Sequence, residues 1–280
     1  MDEAGRLVME TVRAADPDRY VSALYAPEDK RAALFALYGF NAEIAGVRDR
    51  IREPLPGEVR LQWWRDAIDA GGGEAVAGNP PAEALTAAIA AYDLPRQAFD
   101  NYLEARIFDL YDDPMPSRTD LEGYCGETAS TVIQLAALIL DREQAPRFAA
   151  LAGHAGCAQA ITGLLLLMPR HRARGQCFVP ADVLAAAGSS PESFLAEKGG
   201  AAAGSVVAAM TALAREHLAA FREEAPSLPA ALRPAYLPLA LTGAYLERIE
   251  RFGARAASET PRMPLWQRHW LIYRRAARGW

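Results

Sequence analysis

The chain has 280 residues, 51% of them apolar, and a formal net charge of −5. That length makes one large domain or two ordinary ones, and the apolar share is ample for a sizeable core. The acidic balance excludes a general nucleic-acid binder.

Nearly every segment reads as helix, because strand-like alternation is absent and alanine and leucine dominate. The predicted helices span 3–15, 28–51, 57–70, 81–91, 95–111, 119–140, 144–168, 180–187, 202–224, 231–252 and 265–278. Breakers separate them: Gly71-Gly72-Gly73, Gly78-Asn79-Pro80-Pro81, Pro114 and Pro116, Pro169, Gly188-Ser189-Ser190-Pro191, and Pro226. Pro238 falls inside a helical run and should kink it. No gap reads as a long linker and no repeat is visible, so a single all-α domain over 1–280 is expected.

Cys125, Cys157 and Cys177 lie far apart with no C-x-x-C, which speaks against a disulfide framework or a zinc site and fits a reducing cytosol. His154, His171, His217 and His269 show no ligand spacing. The N-terminal stretch is acidic and has no signal-like apolar core. The longest wholly apolar run, Gly163–Pro169, is far short of the ~20 residues that span a bilayer.

Residues 24–69 are the most informative. Pro27 suits a first helical position, where a missing N–H costs nothing, and Glu28 and Asp29 follow where the helix dipole favours acids. Ala33, Leu34, Leu37, Tyr38, Ile44 and Val47 recur at helical spacing, and Pro54 and Pro56 end the run. Asn41, Ala45 and Asp49 step by four and so share one face. After Gly57 a second helix opens with Arg60-Leu61-Gln62-Trp63-Trp64-Arg65-Asp66. Further on, Thr119-Asp120-Leu121-Glu122 has the form of a capping box. Tyr124-Cys125 and the small residues Thr128 to Thr131 follow it; taken alone, Tyr124 reads as a core tyrosine with a hydrogen-bonded hydroxyl.

Together these segments resemble the squalene/phytoene synthase family over roughly residues 19–250. The likeness is carried by Leu24-Tyr25-Ala26-Pro27, Leu37-Tyr38-Gly39-Phe40, Tyr124-Cys125, Gln159, and the stretch from Arg174 through Phe178 and Pro180 to Asp182. It implies an isoprenoid-synthase-type helical bundle around a central cavity, lined by the 28–51, 119–140 and 144–168 helices, with Tyr124 beside the reacting carbons. In the family, two aspartate-rich motifs hold magnesium against a diphosphate. Laid on this chain, the first pair falls at Ala45 and Asp49, and the second motif at Leu165, Leu166 and Arg170.

Of positions 45, 49, 166 and 170, only Asp49 can ligate. Magnesium needs near-octahedral oxygen ligation, and a departing diphosphate needs its charge stabilised by that metal. Glu43 is a poor substitute, since it lies about 200° round the helix from position 45. The expectation is no metal and no cofactor, magnesium entering only under an enzymatic reading, with Asp49 and Tyr124 as remnants of a catalytic set.

Phe40-Asn41-x-Glu43, Leu61-Gln62-Trp63-Trp64-Arg65, Glu127-Thr128-x-Ser130 and Pro169-x-His171-x-x-Arg174 resemble one branch of the family. That branch keeps the fold, lacks the aspartates, and includes an assembly factor of mitochondrial complex I. The resemblance implies a non-catalytic role in respiratory-complex assembly, with a subunit of that complex as partner. The alternatives are a head-to-head prenyltransferase making squalene or phytoene, and an isoprenoid- or lipid-binding protein. The expected pocket comprises Tyr38, Asn41, Ala45, Asp49, Tyr124, Gln159, Thr162, Leu166 and Arg170, with Ala45 and Leu166 facing one another across it.

The last stretch, 265–278, is aromatic and basic, with Trp266, Trp270, Tyr273, Arg274 and Arg278. It suits an anionic membrane surface, but the favoured expectation is a closing helix whose aromatics dock on the core while its arginines face water. The protein is expected to be cytoplasmic, with at most peripheral contact with the inner membrane.

Overall fold

The computed structural model describes residues 3–196 and 201–280. The first helices are α1 (Glu3–Ala15) and α2 (Pro17–Ala23), joined at Asp16, whose carboxylate accepts the Arg19 backbone N–H at 3.0 Å and caps α2. Pro27 is itself the cap of α3 (Glu28–Ala45), with φ −51° and ψ 145°, one position before the one expected for it. From Ala33 to Asn41 every residue of α3 is buried, which makes it a core helix enclosed on all sides. Gly46 ends α3, and a single further turn, α4 (Val47–Arg50), carries Asp49. The expected 28–51 helix is therefore broken just before its aspartate.

α5 (Pro54–Ala70) opens on Pro54, so the proline that stops one helix starts the next. α5 closes on the core through Glu43, which accepts from Arg60 Nε at 3.0 Å and Trp64 Nε1 at 3.4 Å. Phe40 meets Trp64 edge-on at 5.1 Å between ring centroids. α6 (Pro80–Tyr92) and α7 (Arg96–Ile107) follow, and the Tyr102 hydroxyl of α7 donates to Asn41 Oδ1 at 3.0 Å. The Phe40–Glu43 and Leu61–Arg65 segments are thus two sides of one packing seam.

α8 (Arg118–Cys125) is capped by Ser117, whose hydroxyl accepts from the Asp120 N–H at 3.2 Å, two residues before the expected Thr119. A π turn, Gly126–Ser130, then leads into α9 (Thr131–Leu140). The extra residue of the π turn sits where another helix crosses very closely. A Cβ added at Gly156 would lie 2.1 Å from Ser130 Oγ and 2.4 Å from its backbone nitrogen. Ser130 Oγ donates to the Gly153 carbonyl at 3.1 Å across that crossing.

Gly153 and Gly156 belong to α10 (Ala149–Ala173), which runs straight through Pro169, the expected stop. An interior proline costs roughly 3 kcal/mol; burial of Leu165 and Met168 beside it offsets that cost. The helix ends in a Schellman pattern. Gly175 takes φ 78° and donates to the Arg172 carbonyl at 3.1 Å, and the Gln176 N–H reaches the His171 carbonyl at 2.9 Å. Among the described residues, 145–173 is one stretch long and apolar enough to cross a membrane. Leu151, Ala155, Ala158, Ile161 and Leu165 are buried in the core, so packing accounts for its hydropathy.

α11 (Ala181–Ala186), α12 (Pro191–Ala196) and α13 (Ala201–Glu224) follow. Around Pro238 the expected 231–252 helix tightens into a 3₁₀ segment, Leu237–Leu241, between α14 (Arg233–Tyr236) and α15 (Thr242–Phe252). α16 (Leu265–Arg278) closes the chain. Among the described residues there is no β-strand. α3 lies against α1, α6 and α9, while α10 lies against α13, and one continuous core joins the two groups.

The expectation for α16 is overturned. Its docking face is Ile272 together with Arg268, which donates to both oxygens of Asp18 at 2.9 and 2.5 Å. Trp266, Trp270 and Tyr273 point away from the core and are more than half exposed. The aromatic residue that docks is Trp280, edge-on to Phe221 at 4.6 Å.

Candidate functional site

A cavity of about 660 Å³ opens between α3–α4, α7, α8 and α10. α3 and α4 supply Asn41, Ala45 and Asp49, and α8 with the π turn supplies Tyr124 and Thr128. α10 and the turn after it supply Gln159, Gly163, Leu167, Arg170 and Arg174. Asp16 and Arg19 reach in from the start of α2, and Arg106 and Asp109 from the end of α7.

Of the nine pocket residues named from sequence, Asn41, Ala45, Asp49, Tyr124, Gln159 and Arg170 are brought together here, and Tyr38, Thr162 and Leu166 are not. Tyr38 is 1% exposed and belongs to the core, with the Arg19 guanidinium 5.8 Å from its ring centre. The buried Thr162 hydroxyl donates to the Ala158 carbonyl at 2.7 Å. Leu166 packs against the core, and its carbonyl accepts from Thr260 at 3.0 Å. The reason is rotational register. The cavity face of α10 is centred on 163, 167, 170 and 174, and position 166 lies roughly 70° round the helix from that centre. Ala45 therefore looks across the cavity toward a wall formed by Leu164 and Leu167 rather than by Leu166.

Charge sets the character of the site. Asp49 pairs with Arg170 Nη2 at 2.6 Å through one oxygen and with Arg174 through the other. Burial pushes the Asp49 carboxyl up, but the two arginines outweigh it and hold it below the usual carboxylate range. Asp16 is taken by Arg19 at 2.7 Å. Asp109 accepts from Arg106 at 2.9 Å and from the Tyr124 hydroxyl at 2.7 Å, and the same hydroxyl accepts from Arg106 at 2.9 Å. Burial pushes the Tyr124 hydroxyl well above its ordinary value, so it stays a neutral donor. His171 lies tilted against Phe178, at 4.6 Å between ring centres, and burial lowers it to about 4, which leaves it uncharged at neutral pH.

The lining holds six arginines and three aspartates, and each of those aspartates has an arginine partner. A magnesium cluster needs carboxylates free to converge on a cation. Among the described residues, no group of three or more His, Cys, Asp or Glu is placed to hold a metal ion. The residues present do not fit such a cluster. Arg19, Arg106 and Asp109 were not singled out from sequence. Their only signals are Asp16-x-x-Arg19 and Arg106-x-x-Asp109, a spacing that surface ion pairs share.

The helical cage and its cavity define a protein of the isoprenoid-synthase type. Solved structures with this fold include a dehydrosqualene synthase in complex with ligand, with TM-score 0.81 and 16% identity over 97% of this chain and 95% of that one. Squalene synthase HpnC from Alicyclobacillus acidocaldarius matches with TM-score 0.73 and 21% identity, over 89% and 94% of the two chains. The chain belongs to the squalene/phytoene synthase family, whose sequence model matches residues 12–268. NADH dehydrogenase (ubiquinone) complex I, assembly factor 6 of Bos taurus is 29% identical over 250 residues, covering 88% of this chain and 74% of the relative. The Mus musculus protein of that name is 30% identical over 247 residues, covering 87% and 73%. A presqualene diphosphate synthase from Sinorhizobium fredii is 26% identical over 183 residues, 64% of each chain.

Proposed function

We propose that this protein is a non-catalytic member of its family that acts in the assembly of respiratory complex I, from the cytoplasmic side of the membrane, through contact with a subunit of that complex. The observation that carries this reading is the pair of arginines closed on Asp49. Arg170 occupies a position where the enzymes are expected to hold an acid, and it neutralises the one carboxylate left opposite. The relatives named as complex I assembly factors align over more of the chain than the presqualene diphosphate synthases do, which supports the same reading.

The cavity fits a ligand with an anionic head and an apolar tail, bound without metal. Leu164, Leu167 and Phe178 form an apolar wall beside the arginines. Arg48 and Arg106 each keep a buried Nε–H with no partner among the described residues, and such donors favour a ligand acceptor. An isoprenoid or other lipid phosphate has that form.

The test has two arms. Purified protein incubated with farnesyl or geranylgeranyl diphosphate and magnesium, with and without NADPH, should yield no squalene or phytoene. Turnover even near ~1 per second would overturn the proposal. In the source organism, deleting the gene should lower NADH:quinone oxidoreductase activity and leave carotenoids and hopanoids unchanged. The opposite pattern would establish a prenyltransferase instead.

A further inference from the structure

α16 presents an aromatic face that no described residue covers. Trp266, Trp270 and Tyr273, at i, i+4 and i+7, are 71%, 55% and 53% exposed, and Leu265 beside them is 57% exposed. The segment after α2 extends the patch with Leu24 and Tyr25, both about two-fifths exposed. α2, which leads directly into Leu24 and Tyr25, packs against α16, so this segment borders the aromatic stripe. Single exposed apolar residues are normal, but a contiguous patch of this kind marks an interaction surface.

The charge around the patch selects the partner. α16 contains Arg268, Arg274, Arg275 and Arg278 and no acidic residue, within a chain of net charge −5. Arg268 is held by Asp18, and Arg275 lies over Trp280 at 4.5 Å. Arg274 and Arg278 are exposed on one flank of the aromatic stripe, and His269 is exposed on the other. A second copy docked two-fold through this face would bring arginine against arginine, with no acid on the helix to compensate. An anionic bilayer supplies the missing complement. Tryptophan and tyrosine rings, apolar in body and polar at the tip, sit at headgroup depth, and flanking arginines meet lipid phosphates.

The geometry points to an anionic membrane surface as the partner of this face, with α16 lying in the plane of the bilayer, Trp266, Trp270 and Tyr273 at the headgroup–acyl boundary, and Arg274 and Arg278 against phosphates. α2 ties this surface to the cavity, since Asp18 anchors α16 and the next residue, Arg19, lines the cavity. The inference goes beyond the assembly reading and stands or falls separately, because vesicle binding is measured without complex I.

The experiment is co-sedimentation of the full chain with phosphatidylcholine vesicles, with and without about a third phosphatidylglycerol. Wild type should bind the anionic vesicles with a blue shift of indole emission, and should be released by salt. The triple variant Trp266→Ala/Trp270→Ala/Tyr273→Ala should lose at least about tenfold in binding. Each arginine near an anionic surface contributes roughly fivefold, so Arg274→Gln/Arg278→Gln should bind anionic vesicles about 10- to 25-fold more weakly. All five side chains are exposed, so both variants should keep the wild-type circular dichroism and melting temperature. No binding by wild type, or binding unchanged in either variant, overturns the inference. So does a wild-type dimer in light scattering that the aromatic variant converts to monomer.

Discussion

Replacing Gly156 by alanine tests the crossing that shapes one wall of the cavity. In an open helix interior, Gly→Ala gains about 1 kcal/mol from propensity and from the loss of unfolded-state freedom. At Gly156 the new Cβ would stand 2.1 Å from Ser130 Oγ, 2.4 Å from Ser130 N and 2.5 Å from Ser130 Cα, where ordinary contact begins at 3.4 Å. Two of those three atoms are backbone, so α10 and the π turn must separate by about 1 Å. Overpacking of this kind costs roughly 1–3 kcal/mol and occasionally more. With backbone opposing backbone, the upper end applies, and Gly156→Ala should destabilise by about 3 kcal/mol net. Gly153→Ala, one turn earlier on the same helix, meets nothing within 4 Å and should instead stabilise by up to about 1 kcal/mol. The assay is urea denaturation followed by far-ultraviolet circular dichroism. Adding Ser130→Ala to Gly156→Ala removes the hydroxyl but leaves both backbone contacts, so it should restore little. A Gly156→Ala protein within about 0.5 kcal/mol of wild type, or one fully rescued by Ser130→Ala, would refute a backbone-limited crossing.

Two further predictions concern pH. The side chains of Asp49, Arg170 and Arg174 are 34%, 49% and 31% exposed, so solvent screens the cluster and Asp49→Asn should lose no more than about 1 kcal/mol at neutral pH. The folded Asp49 carboxyl lies below its unfolded value of 3.8, so its stabilisation is complete above that pH and fades as pH falls through the folded value. Urea curves of wild type and variant should therefore converge in strong acid, and a gap that persists there would contradict the ion-pair account. His171 titrates at about 4 when folded against 6.5 when unfolded. Between those values the unfolded chain binds a proton that the folded chain refuses, so stability falls as pH drops through that window, by at most about 3 kcal/mol. His171→Asn should flatten that part of the stability profile; equal slopes would show that His171 is not buried as described.

The helical character of the chain was legible in the sequence, because proline and glycine breakers and the absence of strand alternation are local properties. The absence of acids at 45, 166 and 170 was also legible, since a missing side chain needs no coordinates to notice. What occupies their place was not. That Arg170 and Arg174 close on Asp49 depends on bringing α10 against α4, 121 and 125 residues apart in the chain. The facing of Leu166 depended on helix rotation, and a displacement of one residue turns a side chain by about 100°. Glu43 was judged by its rotation round the helix from position 45, yet its role is to accept from Arg60 and Trp64 on another helix. The outward turn of Trp266, Trp270 and Tyr273 was decided by which face of α16 found a partner. Asp18 captured Arg268 and the core accepted Ile272, so the aromatic stripe was left to face out. Local sequence determines that the chain is helical, whereas the ends of helices such as α10, which runs on through Pro169, and the rotation of each helix about its axis, and so the make-up of the site, are set by the long-range contacts each face makes.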